Sequence, residues 1–248
     1  MDLSLSEEQE MLRRMARDFL ENECPKTHVR QMMEDEVGFS RELWKKMAEV
    51  GWTGLVLPEE YGGGGMNFRD LTILCEEMGR ALLPAPFIET VLLVAMLILK
   101  HGTEEQKQEF LPKIASGEIV CTAALLEEDG DLWPGGVQMK ATARGDDYIL
   151  SGTKLFVTDA QIAQYIITPA LTDEGVSLFL VDAKSPGISY TSLNTLAGDK
   201  QYEVTFDNVE VSQQNLLGEP GHGWDYIERV LPKIIMFKCA EMVGNAQE

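Results

Sequence analysis

With 41 acidic against 21 basic side chains in 248 residues, the chain has a formal net charge of −20. That balance argues against nucleic acid or an anionic membrane surface as its main partner, since both need a basic face. Its 44% hydrophobic and 25% charged residues are ordinary for a soluble globular protein with one large or two small cores.

The opening Met1-Asp2-Leu3-Ser4 is neither basic nor apolar, so no signal or transit peptide is expected. The longest apolar run, Val91 to Leu99, is too short to span a bilayer. Cys24, Cys75, Cys121 and Cys239 lie far apart without metal-ligand spacing, which predicts reduced core thiols, no metal site and a cytoplasmic location.

Residues 1–118 predict a helical domain. Ser6 with Gln9 forms a capping box, Met11, Leu12, Met15, Phe19 and Leu20 recur at helical spacing, and Pro25 ends the helix. Ser40 caps a second helix bearing Leu43, Trp44 and Met47, with Gly51 as its stop. Pro58-Glu59-Glu60-Tyr61-Gly62-Gly63-Gly64-Gly65 predicts a loop that could let a ligand approach the main chain, but it lacks the ending of a P-loop. Leu71, Leu74, Cys75 and Met78 mark a further helix ending near Gly79, and Pro84 to His101 a central apolar one. Thr103 with Gln106 caps the last, which ends near Ser116-Gly117.

From Ile119 the period changes. Ile119–Leu126, Val137–Ala143, Tyr148–Leu150, Lys154–Val157, Tyr165–Ala170, Val176–Val181, Ile188–Leu193 and Glu203–Val211 read as eight short strands, so residues 119–220 predict an antiparallel β-sandwich or barrel. Residues 221–248 return to helix and stop in mid-pattern, which predicts the start of a C-terminal helical bundle. The fold class is therefore α+β and multidomain.

The stretch Tyr148 to Thr158 predicts two strands around a tight Ser151-Gly152 turn. An aromatic face followed by a hydroxyl suits a flat heteroaromatic ligand, whose ring stacks and whose edge hydrogen-bonds. Taken alone, these residues favour an ordinary hairpin with a core Phe and a strand-terminal Thr.

Several ordered motifs resemble those of the acyl-CoA dehydrogenase family. They are Leu57-Pro58-Glu59-Glu60-Tyr61-Gly62-Gly63; His101-Gly102-Thr103 through Gln106-Lys107, Phe110-Leu111-Pro112 and Ser116-Gly117-Glu118; Gly152-Thr153-Lys154-Leu155-Phe156-Val157-Thr158; Phe206 to Val211; and Leu217-Gly218-Glu219. The resemblance implies FAD, α,β-dehydrogenation of an acyl-CoA thioester, electron delivery to an electron-transfer flavoprotein, and a homo- or hetero-oligomer of related subunits. By position it places Phe156 against the flavin, Thr158 at the flavin edge, and Leu126 where the family has a flavin-contacting Thr.

The chain also departs from that pattern. Leu126 and Leu132 stand where hydroxyl donors are expected, and Glu127, Glu128, Asp129 and Asp131 put negative charge where a pyrophosphate would lie, which reads as a solvated acidic turn. Ile234 stands where some members place the catalytic Glu, and Ile235 where an Arg is usual. Glu228-Arg229 lies six residues early, about 120° off the wanted helix face, so Glu228 is expected to face solvent or a partner and no catalytic base is assigned. His222 is expected to be an exposed loop residue, His28 and His101 have no metal pattern, and Trp224 and Tyr226 are expected to pack under the β-domain. Two alternatives stand beside the dehydrogenase: a non-catalytic, flavin-poor subunit of a heteromeric enzyme, and a related flavin oxidase or monooxygenase.

Overall fold

The computed structural model describes residues 4–248. Its helical part comprises α1 (Glu7–Glu23), α2 (Lys26–Glu34), α3 (Arg41–Glu49), α4 (Phe68–Ala81), a π-helical stretch Ile88–Val94 running into α5 (Ala95–His101), and α6 (Glu104–Ala115). The strands are β1 (Cys121–Ala123), β2 (Lys140–Arg144), β3 (Asp147–Thr158), β4 (Tyr165–Thr172), β5 (Gly175–Asp182), β6 (Ile188–Leu193), β7 (Gln201–Val211) and β8 (Leu216–Leu217). The chain ends in α7 (Gly223–Gln247).

The caps fall where the side-chain chemistry puts them. Ser6 Oγ accepts from the Gln9 amide while Gln9 reaches back to the Ser6 amide, and Thr103 and Gln106 repeat the exchange. Ser40 Oγ accepts from Leu43 N, and Gly51 takes a left-handed φ of 81° after α3. Helix α2 starts after Pro25 with no side-chain cap. Helix α4 outruns Gly79 to Ala81, and the glycine serves packing instead.

The fold class holds, with a mixed sheet where an antiparallel one was expected. The strand order is β6-β7-β3-β2-β4-β5-β8, β1 lies parallel to β4, and β2 meets β4 in parallel at Lys140 and Leu171. The expected turn at Ser151-Gly152 is instead a register shift inside one twelve-residue strand. A Cβ on Gly152 would sit 2.8 Å from Met139 Cγ, so a side chain here would push β3 off the strand start it lies against. The loop Gly62–Gly65 folds back on its own chain, with Gly64 N and Gly65 N donating to the carbonyls of Gly54 and Leu57. Its close approach is to its own main chain.

Three buried clusters support this arrangement. Ala16, Trp44, Met47, Leu74 and Leu92 fill the helical core, while Leu150, Phe179, Val204 and Phe206 fill the sheet. A third joins α5 and α6 to the sheet through Leu97, Phe110 and Leu178. Helix α7 belongs to two of them: Trp224, Ile227 and Val230 pack with the sheet-facing cluster, and Phe237 and Ala240 with the helical core. Trp224 thus packs as expected, whereas Tyr226 stacks on His101 at 4.0 Å. Cys24, Cys75 and Cys121 are core thiols, pushed up by burial to about 11, 12 and 12. Cys239 departs from that expectation and is exposed. No helix among the described residues is long and apolar enough to cross a membrane.

Helices α4 and α7 touch backbone to backbone. A Cβ on Gly79 would lie 1.9 Å from Glu241 O, and one on Gly244 1.8 Å from Glu76 O. Gly79→Ala must therefore separate the helices, and we expect it to lower unfolding free energy by about 1–3 kcal/mol in urea denaturation. An unchanged midpoint would show that α7 is not held this closely.

Candidate functional site

The site is built on the C-terminal end of β3. Strand alternation places Leu150 and Lys154 on the buried face. A second register shift between Lys154 and Val157 then breaks the alternation, so that Val157 is buried and Phe156 points outward. Phe156 takes a left-handed φ of 55° and leaves its ring 52% exposed. Three residues on, Asp159 takes φ 56°. Two non-glycine residues in this conformation within one strand end is the kind of backbone strain that gathers at ligand sites.

Between them, Thr158 is half-buried. Its carbonyl accepts the Thr122 hydroxyl at 2.7 Å, and its own hydroxyl makes no hydrogen bond among the described residues. Thr122 is completely buried on β1. The neighbouring β1 residue Cys121 is held in turn by Thr90 of the π-helical stretch, whose Oγ1 donates to Cys121 O at 2.7 Å and accepts from Cys121 N at 3.0 Å. The strand end is therefore tied across β1 to the helical layer.

The strap from Leu126 to Met139 covers the adjoining part of β3. Leu155 N donates to Leu126 O at 2.9 Å, which brings Leu126 beside Phe156. The strap is pinned by a buried ion pair. Lys154, with no exposed surface, donates to Glu127 Oε1 at 2.6 Å, and the Glu127 carboxylate also accepts from Gln138 N at 3.0 Å and Met139 N at 3.1 Å. Burial lowers the Lys154 pKa, while the hydrogen bond and charge of Glu127 pull it back up. Removing either partner alone leaves a buried unpaired charge, at a cost of about 3–5 kcal/mol.

Glu127 is thus not part of a solvated acidic turn, because an inward-facing lysine on β3 claims it. The rest of the run behaves as expected: Glu128, Asp129 and Asp131 are exposed, as are Leu132 and Trp133. Sequence reading missed the pair, although an obligate cation on the core face of a strand was its signal.

A cleft of about 650 Å³ lies against the strap, lined by Glu128, Asp129, Lys140, Thr153, Leu155 and Glu203 among others. Besides the paired Glu127, three carboxylates (Glu128, Asp129 and Glu203) against one lysine make it a poor cradle for a pyrophosphate. For a flavin, the fit is divided. Phe156 offers a stacking face and Thr158 a free hydroxyl for a ring edge, whereas Leu126 offers no hydroxyl to a flavin and Leu132 none to a phosphate.

Asp159 closes the site on the helical side. Burial, with the nearby charges of Glu89 and Asp199, raises its pKa to about 7 against the pull of Lys238. Burial likewise raises Glu89. On helix α7, Ile234 is half-buried against both helical and sheet-facing clusters and Ile235 is exposed, so the two positions where the family resemblance expects an acid and an arginine are both apolar. Glu228 is exposed and accepts from Trp224 Nε1 at 3.0 Å, consistent with its expected outward face. His222 is exposed and pairs with Asp225 at 3.1 Å. The described residues contain no cluster of three or more potential metal-ligating groups of His, Cys, Asp or Glu.

Residues 6–118 match the acyl-CoA dehydrogenase N-terminal domain, and residues 122–209 its middle domain. A probable acyl-CoA dehydrogenase of Bacillus subtilis is 34% identical across the whole chain, which covers 67% of that protein. The crystal structure of acyl-CoA dehydrogenase from Geobacillus kaustophilus superposes with a TM-score of 0.91 at 29% identity, covering all of this chain and 67% of that one. A chain of the ChsE4–ChsE5 complex from Mycobacterium tuberculosis gives 0.85 at 30% identity, with 94% and 62% covered. The chain spans about two thirds of the length of the curated relatives it matches.

Because the folded state holds the Asp159 proton more tightly than the unfolded chain, whose carboxyl titrates near its ordinary 3.8, stability is greatest at low pH and falls as pH rises from about 4 to about 7. Asp159→Asn removes this term. The stability difference between variant and parent, measured by urea unfolding, is expected to grow in the variant's favour across that interval. A difference flat with pH would mean that Asp159 titrates normally.

Proposed function

The chain belongs to the acyl-CoA dehydrogenase family, and from that premise we propose that it takes part in the FAD-dependent α,β-dehydrogenation of an acyl-CoA thioester. The observation that carries this reading is the end of β3: an outward Phe156 ring and a free Thr158 hydroxyl, two residues apart, on a strained strand end anchored to β1. FAD bound there would accept the hydride that leaves the substrate β-carbon.

The residues of this chain would hold and orient. Phe156 would stack on the isoalloxazine, and the Thr158 hydroxyl would hydrogen-bond to its edge. Leu126, Ile234 and the walls around them would exclude water, which strengthens whatever hydrogen bonds reach the thioester carbonyl. An α-proton beside a thioester is weakly acidic, so a carboxylate in a desolvated setting has to remove it. At the α7 position where some family members place that carboxylate stands Ile234, so the base and the remaining phosphate contacts would come from another helix or another chain. We place the protein in the cytoplasm, in a homo- or hetero-oligomer with related subunits, delivering electrons to an electron-transfer flavoprotein.

A second reading has its own observations. Leu126 lacks a hydroxyl for the flavin, and Leu132 and the acidic cleft disfavour the phosphates, which suits a non-catalytic, flavin-poor subunit that stabilises a related dehydrogenase. The structural likeness to a chain of a complex named for two components supports keeping it.

The two readings separate under anaerobic conditions. The leading one expects an acyl-CoA thioester to bleach the visible band of flavin bound to this chain, and Phe156→Ala to weaken flavin binding about tenfold, the equivalent of one aromatic contact. Bleaching that survives Phe156→Ala and Thr158→Val unchanged in a complex with a related chain would assign the flavin to the partner.

A further inference from the structure

On the helical side of the β3 end, charged groups gather where apolar packing would be expected. Glu89 lies in the π-helical stretch, one residue before Thr90. The Thr90 hydroxyl holds the backbone of Cys121, and the next residue, Thr122, holds the Thr158 carbonyl. Glu89 is therefore fixed in place relative to the free hydroxyl of Thr158. A π-helical turn is itself a common mark of a functional site. Asp159 follows Thr158 directly. Burial raises both carboxyls, the Glu89 charge adds to the rise of Asp159, and the Lys238 charge opposes it in each. The three groups thus face one another across the end of β3, the π-helical stretch and α7.

The one cation in this group is already engaged. Lys238 Nζ donates to Glu241 Oε2 at 3.0 Å. Glu89 accepts only from its own backbone amide, and the Asp159 carboxyl accepts no hydrogen bond among the described residues. A carboxylate can accept several hydrogen bonds, and leaving those sites empty in a half-buried setting is costly. A cavity of about 20 Å³ lies against Glu89, with Met78, Phe87 and Ile88 on its apolar side and Lys238 and Glu241 closing it from α7. That volume holds one water-sized group.

We propose that Glu89, with Asp159 beside it, selects thioesters whose acyl chain ends in a small hydrogen-bond donor, such as a hydroxyl, over those ending in a methyl or a carboxylate. The proposal rests on the acyl-CoA reading. An acyl chain laid over Thr158 and directed toward the helical layer meets Asp159 first and Glu89 at its far end. A methyl there would take water from the carboxyls and return no hydrogen bond. A carboxylate would meet the charge of Glu89, with Lys238 already bonded to Glu241. A hydroxyl donates to the open carboxylate and fits the cavity.

The test is isothermal titration calorimetry of the full chain with CoA thioesters that end in methyl, hydroxyl or carboxylate, matched over a ladder of chain lengths. At the length that brings the chain end to Glu89, the hydroxyl-ended thioester should bind about tenfold more tightly than the methyl-ended one, the worth of one hydrogen bond to a charged group. The carboxylate-ended thioester should bind most weakly. Glu89→Leu should reverse the order of hydroxyl and methyl. Lys238→Met, which leaves Glu89 in place, should keep the hydroxyl preference.

Equal affinity for hydroxyl and methyl ends at every length, or a hydroxyl preference that survives Glu89→Leu, overturns the proposal and leaves the acyl-CoA reading standing. Tightest binding of the carboxylate-ended thioester, abolished by Lys238→Met, also overturns it and gives the recognition to the lysine. Binding of no thioester overturns both the proposal and the reading beneath it.

Discussion

The Glu127–Lys154 ion pair is the constraint on which the site depends. A lysine with no exposed surface has to meet a carboxylate, and the carboxylate has to find donors for its other lone pairs. Glu127 finds them in the backbone of Gln138 and Met139. One charge pair therefore fixes three segments: the strap after β1, the start of β2, and the middle of β3. Immediately beyond Lys154 the strand shifts register and turns Phe156 outward. With the strap loose, nothing would hold Leu126 beside Phe156, and the strand end would lose one wall.

The second organising contact is α7. Its first half packs on the sheet side and its second half on the helical core, and glycines on both α4 and α7 let the two backbones meet. The same helix lays Ile234 against both clusters and leaves Ile235, Met236, Met242 and Val243 exposed. It is an internal helix by composition, present here with one of its two faces exposed. The chemistry follows the same division. The end of β3 presents the outward ring of Phe156 and the Thr158 hydroxyl, and α7 presents the apolar Ile234 and Ile235.

Much of this was legible in the sequence because it rests on local rules. Capping boxes at Ser6 and Thr103 mark helix starts through hydrogen bonds made three residues away. The change from helical spacing to short apolar runs after Ile119 marks the passage to the sheet. Phe156 and Thr158 are named through the family resemblance, since their stretch taken alone favours an ordinary hairpin with a core Phe, whereas Phe156 points outward. What was not legible depends on distant partners. Glu127 looked like one of four solvated acids until Lys154, 27 residues later, was seen to point inward at it. Ser151-Gly152 looked like a turn because glycine fits turns and bulges alike, and only pairing with β7 decides between them. The parallel pairing of β1 with β4 and the exposure of Cys239 likewise follow from tertiary placement alone.

The central claim is that the end of β3 presents a flavin-binding edge despite the leucines at 126 and 132. The most direct test is the visible absorption spectrum of the purified full chain after incubation with excess FAD and removal of unbound cofactor. The account predicts a protein-bound flavin band whose shape is perturbed by stacking on Phe156. A colourless protein would contradict it and leave this chain as the flavin-free member of its complex.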